Sequence, residues 1–242
     1  LKEVKNNFSG FNEGIFEFLS GLNKNNNVEW FHRNRDRYQK NLVEPAKAFI
    51  SEIAPFLNRM NPSIRTEPKF NETIMRLNKD MRFAKGEPYR PFLLIHFGRF
   101  KLDSEFYLYF DKNGAELGLF INNSPQKDLF FKKNLIKYKK EIIEICSARR
   151  IDNNFNLSDL EDDMTIVVKK FIAERDFDQL NKIDLILLQK KNGPSKRILF
   201  SKGIVGEMIK MIYQLYPLYC FAISPQPLKL LQKFEDDFGE AV

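Results

Sequence analysis

A chain of 242 residues that is 43% hydrophobic and 14% aromatic can bury a sizeable core, which excludes a disordered or fibrous polymer. No apolar run approaches the roughly 18 residues of a membrane helix, residues 91–97 and 218–223 being far shorter, so no membrane partner is expected. The net charge of +7 favours an anionic partner such as nucleic acid, a nucleotide, phospholipid or an acidic protein face, although a surplus of this size also serves plain solubility.

The first 60 residues read as helices. Asn12 is placed to cap a helix with Ile15, Phe16, Phe18, Leu19 and Leu22 on its apolar face, ended by Gly21 and the asparagines at 23 and 25–27. Asn27 caps a second helix with Trp30, Phe31 and Tyr38 on one side and Arg33, Arg35 and Arg37 on the other. Asn41 with Glu44 three residues later has the form of a capping box for a third helix, with Pro45 tolerated in its first turn. Asn61-Pro62 ends that pattern.

Strands follow. Residues 73–77, 92–97, 105–110 and 116–122 are candidates, with Lys112-Asn113-Gly114 as a hairpin turn between the last two. Beyond Ser124-Pro125 a helical period returns, with Leu129, Ile136 and Ile143 on one face and a lysine-rich face at 132–140. Residues 152–163 read as a polar surface connection, 164–168 and 183–189 as strands, and 204–216 as a closing helix. The end from Ser224 reads as polar and loosely held. The whole reads as one α+β domain over 1–242, with N-terminal helices packed on a mainly antiparallel sheet and a further helix and strands in the C-terminal part. A smaller C-terminal subdomain from about residue 150 is the alternative division.

The densest chemistry lies at 76–90, where five cations, two acids, a Gly, a Pro and two aromatic rings share one window. Arginine forks bind phosphate or carboxylate bidentately, so Arg76, Arg82, Lys85 and Arg90 are candidate anion ligands, with Tyr89 supplying a ring or hydroxyl. If the site is catalytic instead, Asp80 or Glu87 is the acid–base candidate and Tyr89 a proton donor. The plain alternative is that Asp80 pairs with Arg76 or Arg82 to pin a loop. Trp30, Arg33 and Arg37, and separately Lys133 and Lys140, suit nucleic-acid contact through stacking and backbone neutralisation. Core packing for Trp30 and a solvated helix face for the lysines are the ordinary readings.

Other chemistries find little support. His32 and His96 lie on different elements without metal-ligand spacing, and the acidic group Asp159, Glu161, Asp162 and Asp163 lacks a calcium-loop pattern, with a Ser158–Glu161 capping box explaining part of it. No metal and no cofactor is therefore expected. The Walker loop, the Rossmann glycines and G-x-S-x-G are missing from the sequence. Cys146 and Cys220 read as buried reduced thiols of a cytoplasmic protein, and the N-terminus does not read as a signal peptide.

Phe11, Phe18-Leu19, Leu22, Asn26-Asn27, Trp30-Phe31, Tyr38 and Pro45, followed by Arg76, Asp80, Arg82-Phe83, Lys85 and Pro88-Tyr89 and by a sheet region ending in Gly118, form a combined pattern. It resembles the conserved hypothetical family called domain of unknown function 2461, over roughly residues 8–146 and more weakly through a closing helix with a Pro-Leu pair at 217–218. The chain departs from that family at Lys79 (usually Arg), Ala84 (Ser), Gly86-Glu87 (Asp-Lys) and Arg90 (Lys). The resemblance implies a shared fold and site but no reaction. The readings carried forward are a non-catalytic binding module for an anionic ligand or nucleic acid, an enzyme on a phosphorylated or acidic substrate, and a scaffold for an acidic protein partner.

Overall fold

The computed structural model describes residues 8–82, 85–162 and 165–239. Expectations that fall on the residues before Phe8, on Phe83, Ala84, Asp163 or on Met164 lie outside the described residues. The α+β expectation holds. Helices come first, then a six-stranded antiparallel sheet in the hydrogen-bonded order β1-β2-β3-β6-β4-β5, then C-terminal helices.

The helices are α1 (Gly14–Lys24), α2 (Val28–Arg33), α3 (Arg35–Tyr38), α4 (Glu44–Met60), α5 (Phe131–Lys137), α6 (Lys139–Ala148), α7 (Ala173–Lys182), α8 (Lys196–Leu199), α9 (Gly203–Ile223) and α10 (Pro227–Phe238). The strands are β1 (Leu93–Phe97), β2 (Glu105–Phe110), β3 (Ala115–Asn122), β4 (Phe155–Asp159), β5 (Thr165–Val168) and β6 (Leu185–Lys190). No helix among the described residues is long and apolar enough to cross a membrane.

The chain divides into two compact units that interleave in sequence. The first takes the described residues up to Phe97 together with Leu108–Glu116 and Gly193–Ile209. Its core is ring-rich. Phe8 meets Phe11 and Phe49 edge-on with centroids 5.3 and 5.4 Å apart, and Phe11 lies 4.7 Å from Phe110. Each such buried ring contributes roughly 1.5–3 kcal/mol by removal from water. Asn27 caps α2, accepting the Trp30 amide at 2.9 Å; Asn12 accepts the Gly14 amide at 2.8 Å from the turn before α1, where Glu13 holds the cap position without a side-chain bond.

The Asn41–Glu44 capping box does not form. A π turn over Gln39–Val43 joins α3 to α4 without a break. The proline ring at 45 lacks an N–H and crowds the carbonyl four residues before it, and a wider turn at that place relieves both problems. Asn41 instead packs against α1, where a Cβ on Gly14 would come within 2.6 Å of its side chain. The strand expected at 73–77 is an irregular edge rather than a regular strand. Ile74 bridges Ile95 and Asn78 bridges Tyr89, while the Met75 and Arg90 amides donate to Leu94 and Leu77 carbonyls at 3.0 and 2.7 Å.

The second unit takes Gly98–Tyr107, Leu117–Asn192 and the described residues from Lys210 onward. The polar stretch 152–163, expected as a connection, contains β4, which pairs with β6 on one side and β5 on the other. Phe155 and Leu157 alternate inward, a period of two masked by the polar residues between them. Ser158 is buried in that strand, so it makes no capping box with Glu161. The helix expected after 125 breaks at Tyr138 into α5 and α6, which leaves Ile136 on the surface at 76% exposure and turns Phe131, Leu135, Ile142 and Cys146 inward. The tail expected to be loose carries α10, whose Leu231 and Phe234 are buried and whose Phe234 ring lies 4.5 Å from Tyr216.

Two further features hold this unit. Gly118 sits opposite Gln189 in the β3–β6 ladder, where a Cβ would overlap the Leu188 carbonyl, so only glycine fits. Arg99 grips the fully buried Asp103 carboxylate at 2.8 and 3.0 Å and also donates to the Ile223 and Asp128 carbonyls at 3.0 and 3.1 Å. Burial works most strongly against the Arg99 charge, but the hydrogen bonds to Asp103 together with the negative potential of Asp103, Tyr219 and Asp128 outweigh it and hold the guanidinium more basic than usual. Cys146 and Cys220 are buried free thiols, and burial pushes both well above the ordinary thiol range.

Candidate functional site

The first unit carries a cavity of about 400 Å³. Its lining comes from two stretches far apart in sequence, Phe31, His32, Arg35, Tyr38 and Gln39 from one, and Phe70, Arg76, Asn78 and Tyr89 from the other. The first set spans the α2–α3 junction. Asn34 leaves helical geometry (φ −108°, ψ 15°) and its side-chain Nδ2 donates to the Trp30 carbonyl at 2.9 Å. Arg35, expected on the face opposite Phe31 and Tyr38, shares the cavity with them.

Asn26, in the turn before α2, fixes the second set. Its amide nitrogen donates to the Tyr89 carbonyl at 2.9 Å and to the Glu87 carboxylate at 3.0 Å, while its oxygen accepts the Tyr89 amide at 3.0 Å. Tyr89 is thereby held with its ring stacked on Phe31, centroids 4.3 Å apart and planes 13° from parallel. The asparagine-rich turn and the Pro-Tyr end of the cationic window, read as separate pieces of one pattern, thus make a single wall.

Sequence reasoning placed five ligand candidates in the window. Arg76 and Tyr89 line the cavity. Arg82 does not. Its guanidinium is clasped by Asp80 through Nε–Oδ1 at 3.0 Å and Nη2–Oδ2 at 2.7 Å, both side chains being exposed. That pairing lowers the Asp80 pKa and raises that of Arg82. Arg90 turns back on its own segment and donates to the carbonyls of Arg76 and Asn78 at 3.1 and 2.9 Å. Lys85 is exposed and outside the lining, and Glu87 is held by Asn26. Neither Asp80 nor Glu87, the acid–base candidates, lines the cavity, and Tyr89, the proton-donor candidate, is a phenol that burial makes still less acidic.

Of the nucleic-acid candidates, Trp30 packs over Gly21 and lies 5.4 Å from Phe18. Arg33 pairs with Glu29 at 3.5 Å and Arg37 with Glu17 at 3.4 Å. Lys133 and Lys140 are exposed in the second unit. Among the described residues no group of three or more His, Cys, Asp or Glu side chains is placed to hold a metal ion.

The electrostatics of the cavity are one-sided. Among the described residues, the guanidinium groups of Arg35 and Arg76 have neither a carboxylate nor a hydrogen-bond partner, and no acid lines the walls. Burial pushes the Tyr38 phenol up to about 12, with the Arg76 charge pulling the other way, so the phenol is neutral and available as a donor at ordinary pH. Sequence reasoning named neither Arg35, Gln39, Phe70 nor Asn78 as site residues. The one available signal was the four-residue spacing of Phe31, Arg35 and Gln39, which aligns side chains along a helical surface.

The molecule is thus an α+β protein with a ring-walled, cationic cavity assembled from an asparagine-rich helix start and a cationic loop. The family model of conserved hypothetical proteins, domain of unknown function 2461, matches residues 14–221, and the chain belongs to that family. A comparison with curated proteins finds no match.

Proposed function

We propose that the protein is a non-catalytic binding module for an anionic ligand, received in the first unit's cavity by Arg35 and Arg76. The observation that carries this reading is the pair of guanidinium groups without internal partners beside exposed ring surface, in a cavity within the size range of small-molecule sites. Neighbouring arginines differ. Arg33, Arg37, Arg82 and Arg90 are all engaged by the protein's own oxygens. Catalysis on an acidic substrate finds less support, because the carboxylates named for proton transfer lie outside the lining and are engaged elsewhere. The buried free cysteines suit residence in a reducing compartment such as the cytoplasm.

Isothermal titration with inorganic phosphate tests the reading. Removal of one charge-assisted contact costs about 1.5–3 kcal/mol, so Arg76→Ala and Arg35→Ala should each weaken binding by about 10- to 100-fold. Arg82→Ala should leave it unchanged. Equal losses from Arg82→Ala and Arg76→Ala, or no phosphate binding at all, would remove the cavity from the argument. Tight, steeply salt-dependent capture of an acidic protein in its place would favour the scaffold role.

A further inference from the structure

We infer that the occupant of this cavity is a single nucleoside phosphate, held by its base as well as its phosphate. The inference rests on the anion-binding reading above and narrows it. An inorganic anion would use the guanidinium groups and nothing else. The cavity offers three kinds of surface, and in each at least one side chain has no partner among the described residues.

The rings come first. Phe31 is half-buried and already packed by Tyr89, Tyr38 and Phe18 at 4.3, 5.2 and 6.2 Å, whereas Phe70 is half-buried with no ring–ring contact among the described residues. The Phe70 ring, with the Phe31 cluster beside it in the lining, suits a flat heterocycle, since stacking on a ring tolerates any base. The amides come second. Gln39 and Asn78 line the walls, and neither side chain has a hydrogen bond among the described residues. An amide carries a donor and an acceptor side by side, the combination that reads the edge of a base. The third surface is the guanidinium pair of Arg35 and Arg76, whose forks match a phosphate.

One ligand class presents a flat base, a donor–acceptor edge and a phosphate within one small body. A nucleic-acid strand would need a track of free cations leading away from the cavity; the neighbouring Arg33, Arg37 and Arg82 are already paired, which leaves only scattered lysines such as Lys40 and Lys85. A single nucleotide needs no such track.

The test is calorimetric titration of the whole chain with inorganic phosphate, with the four ribonucleosides, with the four ribonucleoside 5′-monophosphates, and with a short single-stranded RNA. At least one monophosphate should bind ten-fold or more tightly than both phosphate and its own nucleoside. Phe70→Leu, which keeps apolar bulk but removes the stacking face, should weaken that monophosphate at least five-fold and leave phosphate unchanged. Arg76→Ala should weaken both. If phosphate binds and no monophosphate exceeds it, the nucleotide is overturned while the anion site stands. If the RNA binds more tightly than every monophosphate, with affinity falling steeply in salt, a strand is the ligand and the inference fails. If nothing binds, this inference and the reading beneath it fall together. Circular dichroism of each variant separates lost binding from lost fold.

Discussion

Asn26→Ala removes the side chain that joins the two stretches of the cavity wall. Three hydrogen bonds are lost, two of them to the backbone of Tyr89, a residue only 4% exposed. The bond to Glu87 is exposed and contributes little. The two backbone bonds are worth about 0.5–1.5 kcal/mol each, and more where the abandoned groups stay dry, which gives a loss of about 1–3 kcal/mol. Urea denaturation should show a lower midpoint with an unchanged slope. Asn26→Asp sharpens the test. Its carboxylate still accepts the Tyr89 amide but meets the Tyr89 carbonyl and the Glu87 carboxylate with charge of the wrong sign. It should be at least as damaging as alanine at neutral pH, and should recover in part when acid restores a proton that can be donated. A loss under about 0.5 kcal/mol for alanine, or wild-type stability for aspartate, would refute the claim that this asparagine holds the wall.

Tyr38 supplies a prediction in alkali. Its phenol is raised from 10.0 to about 12 by burial, so its contribution is complete below pH 10 and is lost as pH rises through about 12, amounting to about 2–3 kcal/mol. Tyr38→Phe should flatten that part of the stability profile measured by denaturation between those limits. Gly118→Ala should cost at least 2–3 kcal/mol, read as a fall in the thermal midpoint, because a Cβ there cannot coexist with the Leu188 carbonyl in the β3–β6 ladder. Arg99→Ala should destabilise by about 3–5 kcal/mol in chemical denaturation, since it strands the buried Asp103 carboxylate. Gly21→Ala, otherwise favourable in a helix, should be destabilising, because its Cβ would stand 2.7 Å from the Trp30 ring; the emission of that single tryptophan should shift with it.

Local signals in the sequence predict the local structure well. Asn27 caps where a short polar side chain before an apolar period should cap, Asn12 bonds the Gly14 amide from one residue before the cap position, and the Asn113-Gly114 turn joins strands whose ends fall within a residue of those expected. The failures share a cause. β4 hides its period behind Asn156 and Ser158, and α10 hides two buried side chains in a polar tail, since both draw their stability from partners distant in sequence. The site was half legible for the same reason. Charge density pointed to the window at 76–90, but it does not tell which cations the protein uses on itself. Arg82 is spent on Asp80 two residues away and Arg90 on carbonyls 12 and 14 residues before it, whereas Arg35, one helical turn after Phe31, lines the cavity with no partner among the described residues.

The π turn at Gln39–Val43 has a consequence for how this cavity changes over evolutionary time. A π turn arises when one extra residue is accommodated within an α-helix. Losing that residue would restore an even winding and swing everything upstream by about a quarter-turn or more around the axis. Arg35 and Gln39 would then point elsewhere while every letter of their sequence stayed the same. Members of the family with a shorter or longer segment at this joint are therefore expected to line this cavity with different side chains, by a deletion or insertion that no comparison of aligned side chains would flag.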